Sequence, residues 1–126
     1  MRPVLHTDLI TAASALLTVP RGQRWRAARD LVMQADAADR YRQRTGKAHA
    51  DWGNGTLMAA ALARGVAPER RPDDPDYAEA LILVLEALRI WRLRKRLRRE
   101  GRLAPLPFSA PETMPGGDAA GESRPA

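Results

Sequence analysis

Residues 73–99 read DDPDYAEALILVLEALRIWRLRKRLRR, with one proline near the start and no glycine. The opening is a strong helix start. Asp74 stands at the cap, Pro75 at the first helical position, and Asp76 and Glu79 near the positive end of the helix dipole. Nothing then interrupts the chain until Gly101. A helix over 75–99 is about 38 Å long at 1.5 Å per residue. On it, Tyr77, Leu81, Val84, Leu88 and Trp91 share one face, the expected core stripe. Ile82, Ile90, Leu93 and Leu97 lie roughly opposite. A helix with two apolar faces is either sandwiched in its own domain or presents the second face to a partner.

Working outward, glycines and prolines divide the rest of the chain. A first helix is expected over 8–19 with Thr7 as its cap, since Leu9, Ala12, Ala13, Leu16 and Leu17 repeat at helical spacing. Pro20 and Gly22 break it. A second long helix is expected over about 23–45, stopped by Gly46. Its stripe is Trp25, Ala28, Leu31, Val32, Ala35 and Ala38. A short third helix over about 55–64, capped by Asn54 and stopped by Gly65, is apolar nearly all round and therefore expected to be the most buried. The fold class is thus all-α: a four-helix bundle-like single domain over residues 1–102, with two long helices (about 23–45 and 75–99). Residues 103–126, rich in proline, glycine and alanine, are expected to form a disordered tail.

Composition agrees. The chain has 126 residues, room for one small domain. Alanine and leucine dominate the apolar set while valine and isoleucine are scarce, which favours helices over sheets. There is no cysteine, so disulfides, thiolate metal sites and cysteine catalysis are excluded. Packing or association must hold the domain together. The longest apolar run, 80–90, is broken by Glu86 and Arg89 and falls short of the ~20 residues of a membrane span. Arg2 and the apolar run after it resemble a signal peptide, but His6 and Asp8 and the lack of a small-x-small cleavage site argue for a mature helix. A cytoplasmic protein is expected.

The net charge is +6, and it is unevenly placed. Residues 1–88 carry twelve basic and eleven acidic side chains, residues 89–102 eight and one, and residues 103–126 one and three. The excess therefore sits in "RIWRLRKRLRREGR", residues 89–102. A solvated helix end, where cations complement the dipole, needs two or three basic residues rather than eight. Arg92, Arg94, Lys95, Arg96, Arg98, Arg99 and Arg102 are the candidate anion- or nucleic-acid-binding residues. Arginine outnumbers lysine nineteen to two, a balance that GC-rich coding also produces. If the long helices run antiparallel, Arg24, Arg26 and Arg29 join this pole; if they run parallel, Arg40, Arg42 and Arg44 do.

Other motifs carry less. The Pro20–Gly22 break followed by "QRWRAAR" resembles a helix-turn-helix joint, but short turns join helices in any bundle. "WGNG" at 52–55 reads as a capped turn with Trp52 packed against the bundle, since no lysine or longer glycine loop makes it a nucleotide motif. Asp36 and Asp39 share a helix face, yet the surrounding arginines point to ion pairs, and His49 and Asp51 have no matching pair. No nucleophile elbow or acid/base pair appears, so no catalytic residue, metal or cofactor is expected.

The block "ADRYRQRTGKAHADWGNGTLMAAAL" (38–62), followed by "DDPDYAEAL", resembles a family of short bacterial proteins of unknown function over roughly residues 1–92. The resemblance implies a small helical domain and no known activity, and it carries no functional residue over. It makes the arginine segment and tail extensions beyond the shared body. The expected function is a non-catalytic interaction or adaptor module. Ile82, Ile90, Leu93 and Leu97 would meet a protein partner or a second copy, helped by the basic pole. The alternative is a nucleic-acid-binding protein using the same pole on phosphates.

Overall fold

The computed structural model describes residues 1–102; the tail expected at 103–126 lies outside them. The chain forms α1 (His6–Leu16), a 3-10 turn (Arg21–Gln23), α2 (Arg24–Thr45), α3 (Leu57–Arg64) and α4 (Pro75–Arg99). The fold is all-α and bundle-like. Among the described residues the only extended pairing is a single bridge between His49 and Gly53, and no helix is long and apolar enough to cross a membrane.

The two long helices have the expected bounds. At the start of α4, Asp74 accepts hydrogen bonds from the backbone N–H groups of Asp76 (3.0 Å) and Tyr77 (3.1 Å). The Tyr77 bond is the main cause holding the Asp74 carboxyl below its usual range. α2 ends where Gly46 turns left-handed at φ 76° and donates its N–H to Arg42 O at 2.7 Å.

The short helices depart from expectation at their ends. Thr7 is not the cap of α1. The helix starts two residues earlier than expected, at His6, and Asp8 supplies the acceptor from within the first turn. Its Oδ2 accepts the Leu5 N–H (2.7 Å) and its Oδ1 accepts the Met58 N–H (2.9 Å) in the first turn of α3. One buried carboxylate thus satisfies free N–H groups at two helix starts, where four per helix lack an internal partner. α1 stops at Leu16 rather than at Val19 because its end tightens: Thr18 and Val19 donate their N–H groups to Ala15 O and Leu16 O. α3 begins at Leu57, not at Gly55, and its cap is Thr56, whose Oγ1 accepts the Ala59 N–H at 3.0 Å. Asn54 stands two residues outside, accepting from the Thr56 N–H (3.1 Å) and hydroxyl (2.9 Å).

The core is built of small residues. α1 contributes Ala12, Ala13, Ala15 and Leu16, all fully buried, and α2 contributes Ala27, Ala28, Leu31, Val32 and Ala35. α3 adds Leu57, Ala60 and Ala61. It is not buried all round, since Leu62 is 56% exposed, and α1 is the more enclosed helix. The face of α4 turned to the core is Tyr77, Ala80, Val84 and Ala87. Leu81, Leu88 and Trp91, expected at its centre, pack half-buried along the edge. Alanine at the contact lets helix backbones approach closely, while the larger chains close the sides.

Arg24 ties three helices together. Its Nε donates to Leu16 O (3.0 Å) and Val19 O (3.1 Å), taking up carbonyls at the end of α1. Its NH1 donates to Asp76 Oδ1 at 2.8 Å, at the start of α4. Arg21 reaches Glu79 at 2.9 Å beside it. The starts of α2 and α4 therefore lie together, and the two long helices run in the same direction. Buried in this way, Arg24 is also spent as a base-reading residue of a helix-turn-helix.

The loop between α2 and α3 is pressed against α2. Gly55 has φ 97°, and a Cβ there would lie 2.8 Å from the Cα and Cβ of Asp39. Two substitutions test these joints. Arg24→Ala removes a donor from Leu16 O and Val19 O and the partner of Asp76, and is expected to cost about 2 kcal/mol or more. Gly55→Ala combines a strained φ with a backbone clash and is expected to cost about 2–3 kcal/mol. Chemical denaturation of each variant beside the wild type reads both values; a change under half a kilocalorie in either would contradict the contact described.

Candidate functional site

Because α2 and α4 start together and run the same way, their second halves face one another. Between them lies a groove of about 500 Å³. The α2 wall presents Arg29, Val32, Met33, Asp36, Arg40 and Gln43. The α4 wall presents Ala87, Ile90 and Trp91 and then, toward its end, Arg94, Lys95, Arg98 and Arg99. Met1 also lines it. The floor is apolar and the rim is cationic.

Three cations of the rim, Lys95, Arg98 and Arg99, are not neutralised by carboxylates of the described residues. The rim's one carboxylate, Asp36, already faces the Met1 ammonium at 2.6 Å and Arg40 at 3.5 Å. Lys95 sits over the Trp91 ring, 4.8 Å from its centroid, and Arg92 lies 5.7 Å from the same ring. Among the described residues no carboxylate comes within ion-pair distance of Lys95, Arg98 or Arg99. These cations are crowded on the closing turns of one helix, where like charges repel.

The residues singled out in sequence take different places, Arg92 beside the Trp91 ring. Arg94, Lys95, Arg98 and Arg99 line the groove, and Ile90 joins them from the apolar side. Arg96 and Arg102 instead approach Glu100, at 4.0 and 3.1 Å. Ile82 and Leu93 point outward, 63% and 41% exposed, while Leu97 is half-buried between these faces. Leu85, 50% exposed, completes an outer ridge with Ile82 and Leu93, being three residues from the first and eight from the second. Sequence reading missed Leu85, along with Met33 and Gln43 on the α2 wall. Met33 lies beside the apolar stripe of its helix rather than on it, and only the pairing with α4 gives it a role.

The parallel arrangement was one of the two left open, and it brings Arg40 to the groove. Arg42 and Arg44 are used otherwise: Arg42 bonds Asp39 at 3.0 Å, and Arg44 lies 5.7 Å from the Tyr41 ring. Asp39 is a structural hub. It also accepts from Gln43 Nε2 (3.1 Å) and lies 3.3 Å from the Met1 ammonium. Burial pushes its carboxyl up, but the Arg42 hydrogen bond and the ammonium charge outweigh that and hold it below its usual value. Asp30 is the opposite case: burial raises its carboxyl despite Arg64, Arg26 and Arg29 nearby. Asp36 and Asp39 are thus in ion pairs, as their arginine-rich surroundings indicate. His49 Nδ1 accepts the N–H groups of Asp51 (3.0 Å) and Trp52 (3.2 Å), and its ring stacks on Trp52 at 4.6 Å. Among the described residues no group of three or more His, Asp or Glu side chains is placed to hold a metal ion.

Residues 2–88 match the profile of a domain of unknown function (DUF7742), and the chain belongs to that family. No curated protein and no solved structure matches the chain. The family match ends one residue before Arg89, so the basic segment lies beyond it. The groove straddles this boundary: its α2 wall and Ala87 lie within the family domain, and the α4 wall from Ile90 onward lies outside.

The state of Asp39 gives stability an acid dependence. Its folded pKa is depressed, so its contribution is present above the unfolded value, ~3.9, and is lost as pH falls through the folded value. Asp39→Asn is expected to lower stability at pH 7 and to narrow the gap to the wild type below about pH 4. Denaturation midpoints measured between neutral and acid pH check this; a gap that stays constant across that range would refute it.

Proposed function

We propose that this chain is a non-catalytic interaction module of the cytoplasm that docks a protein partner, or a second copy of itself, along α4. The observation that carries the reading is the outer ridge of α4. Ile82, Leu85 and Leu93 stand 63%, 50% and 41% exposed along one side of a single helix. Scattered exposed apolar residues need no explanation, but a ridge of large ones on a rigid helix fits helix–helix association. Two antiparallel copies of such a ridge are self-complementary, as a two-fold contact requires. Arg89, on the same side, pairs with Glu86 at 2.6 Å, so its charge does not oppose contact there.

A second reading rests on the free cations of Lys95, Arg98 and Arg99. In it the basic pole binds nucleic acid through phosphates, without reading sequence, since no Asn or Gln stands among these arginines to recognise adenine.

Salt separates the two. Apolar association survives high ionic strength, whereas phosphate binding weakens steeply with it. The full chain is expected to run at dimer mass at both low and high salt, and Ile82→Glu with Leu85→Glu is expected to return it to monomer mass. A monomer at both salts, together with a shift of labelled duplex DNA that disappears as salt rises, would replace this reading with the second.

A further inference from the structure

We infer that the groove between α2 and α4 is a docking site of its own, and that its occupant is an acidic amphipathic helix of a partner protein. The inference rests on the reading of the chain as an interaction module and adds the partner's chemistry. Shape is the first argument. The two walls run in the same direction, and the α4 wall extends from Ala87 to Arg99, about 18 Å at helical rise, or just over three turns. Helix-in-groove recognition uses such a length, with anchors at i, i+3, i+4 and i+7.

Chemistry is the second argument. Met33, Ile90 and Trp91, each half-buried, offer an apolar floor, which a wholly polar ligand would leave wet. Lys95, Arg98 and Arg99 offer cations that no carboxylate of the described residues engages, all on one side of that floor. A ligand that matches both needs leucine-like side chains on one face and carboxylates along its edge. Its carboxylates relieve the repulsion among the cations, and its apolar face removes the floor from water.

The same geometry disfavours a nucleic acid in this groove. Base stacking needs an open aromatic face, and Trp91, the aromatic residue of the floor, has Lys95 over its ring at 4.8 Å. An apolar floor also gives phosphates nothing to contact.

The test uses the full chain and a fluorescein-labelled synthetic peptide of about four helical turns, with leucines at i, i+3, i+4 and i+7 and glutamates elsewhere. Fluorescence anisotropy is expected to show saturable binding. Arg98→Glu with Arg99→Glu is expected to weaken it at least about tenfold, as is Ile90→Glu. The paired arginine changes lie beyond the last core residue, so they keep the test decisive if Ile90→Glu does not fold. Arg71→Glu, a charge reversal at an exposed side chain before the start of α4 and away from the groove, is expected to leave peptide binding unchanged. Equal affinity for a glutamate peptide without leucines would overturn the inference, because it would show diffuse charge attraction only. Displacement of the peptide by duplex DNA at lower concentration would overturn it in favour of phosphate binding. Binding lost on Leu85→Glu, on the outer ridge, but kept in both groove variants would move the partner to the ridge, refuting the groove while leaving the interaction module standing.

Discussion

The position of Arg24 governs the architecture. Its guanidinium joins the last carbonyls of α1 to a carboxylate at the start of α4, and it does so from the first residue of α2. An arginine fork supplies several donors in a fixed plane, so a single side chain can close three helix ends at once. The nearby Arg21–Glu79 pair repeats the link at the surface. With both long helices started from one point, their direction relative to one another is no longer free. The Asp76 carboxyl, held below its usual range first by its Arg24 hydrogen bond, keeps the charge that this junction requires at neutral pH.

Polarity follows from that junction. Acidic side chains gather where α4 begins, and basic ones where it ends, so parallel packing places Arg40 of α2's second half opposite the arginines of α4. An antiparallel pair would have brought Arg26 there instead of Arg40. The chain's excess charge is therefore concentrated beside an apolar floor, not spread over the surface. The family domain ends at Leu88, within α4 and directly after its last core residue, Ala87. The α4 wall from Ile90 onward therefore lies beyond the matched residues, while the α2 wall lies within them.

Much of this was legible in the sequence where the governing forces are local. The Asp-Pro-Asp opening of α4 and the glycine stop of α2 specify their helix ends through neighbouring backbone groups, and both long helices have the expected extent. The start of α1 was not legible in the same way, because Asp8 does its second task fifty residues away, on the Met58 N–H. The core face of α4 was misplaced by about one position, since a reading by size favours leucines and overlooks that Ala80 and Ala87 mark the closest approach. The crowding of cations on the last turns of α4 was foreseen from charge alone, but not that four of them line a groove. The groove's α2 wall was not foreseen, because Met33 and Gln43 gain meaning only from the direction of packing, and Arg24 is one of nineteen arginines with nothing in its own neighbourhood to distinguish it.

The unbroken run of α4 past the core has a consequence for how the molecule tolerates change. Beyond Trp91 the helix is a lever whose angular phase is inherited from the packed turns below it. Lengthening it by one residue just after Trp91, the last side chain packed on the core, would leave the folded body in place and yet rotate everything distal by about 100°, exchanging wall for outer surface. Point replacements along this lever adjust its character by degrees, whereas insertions change which side chains face α2.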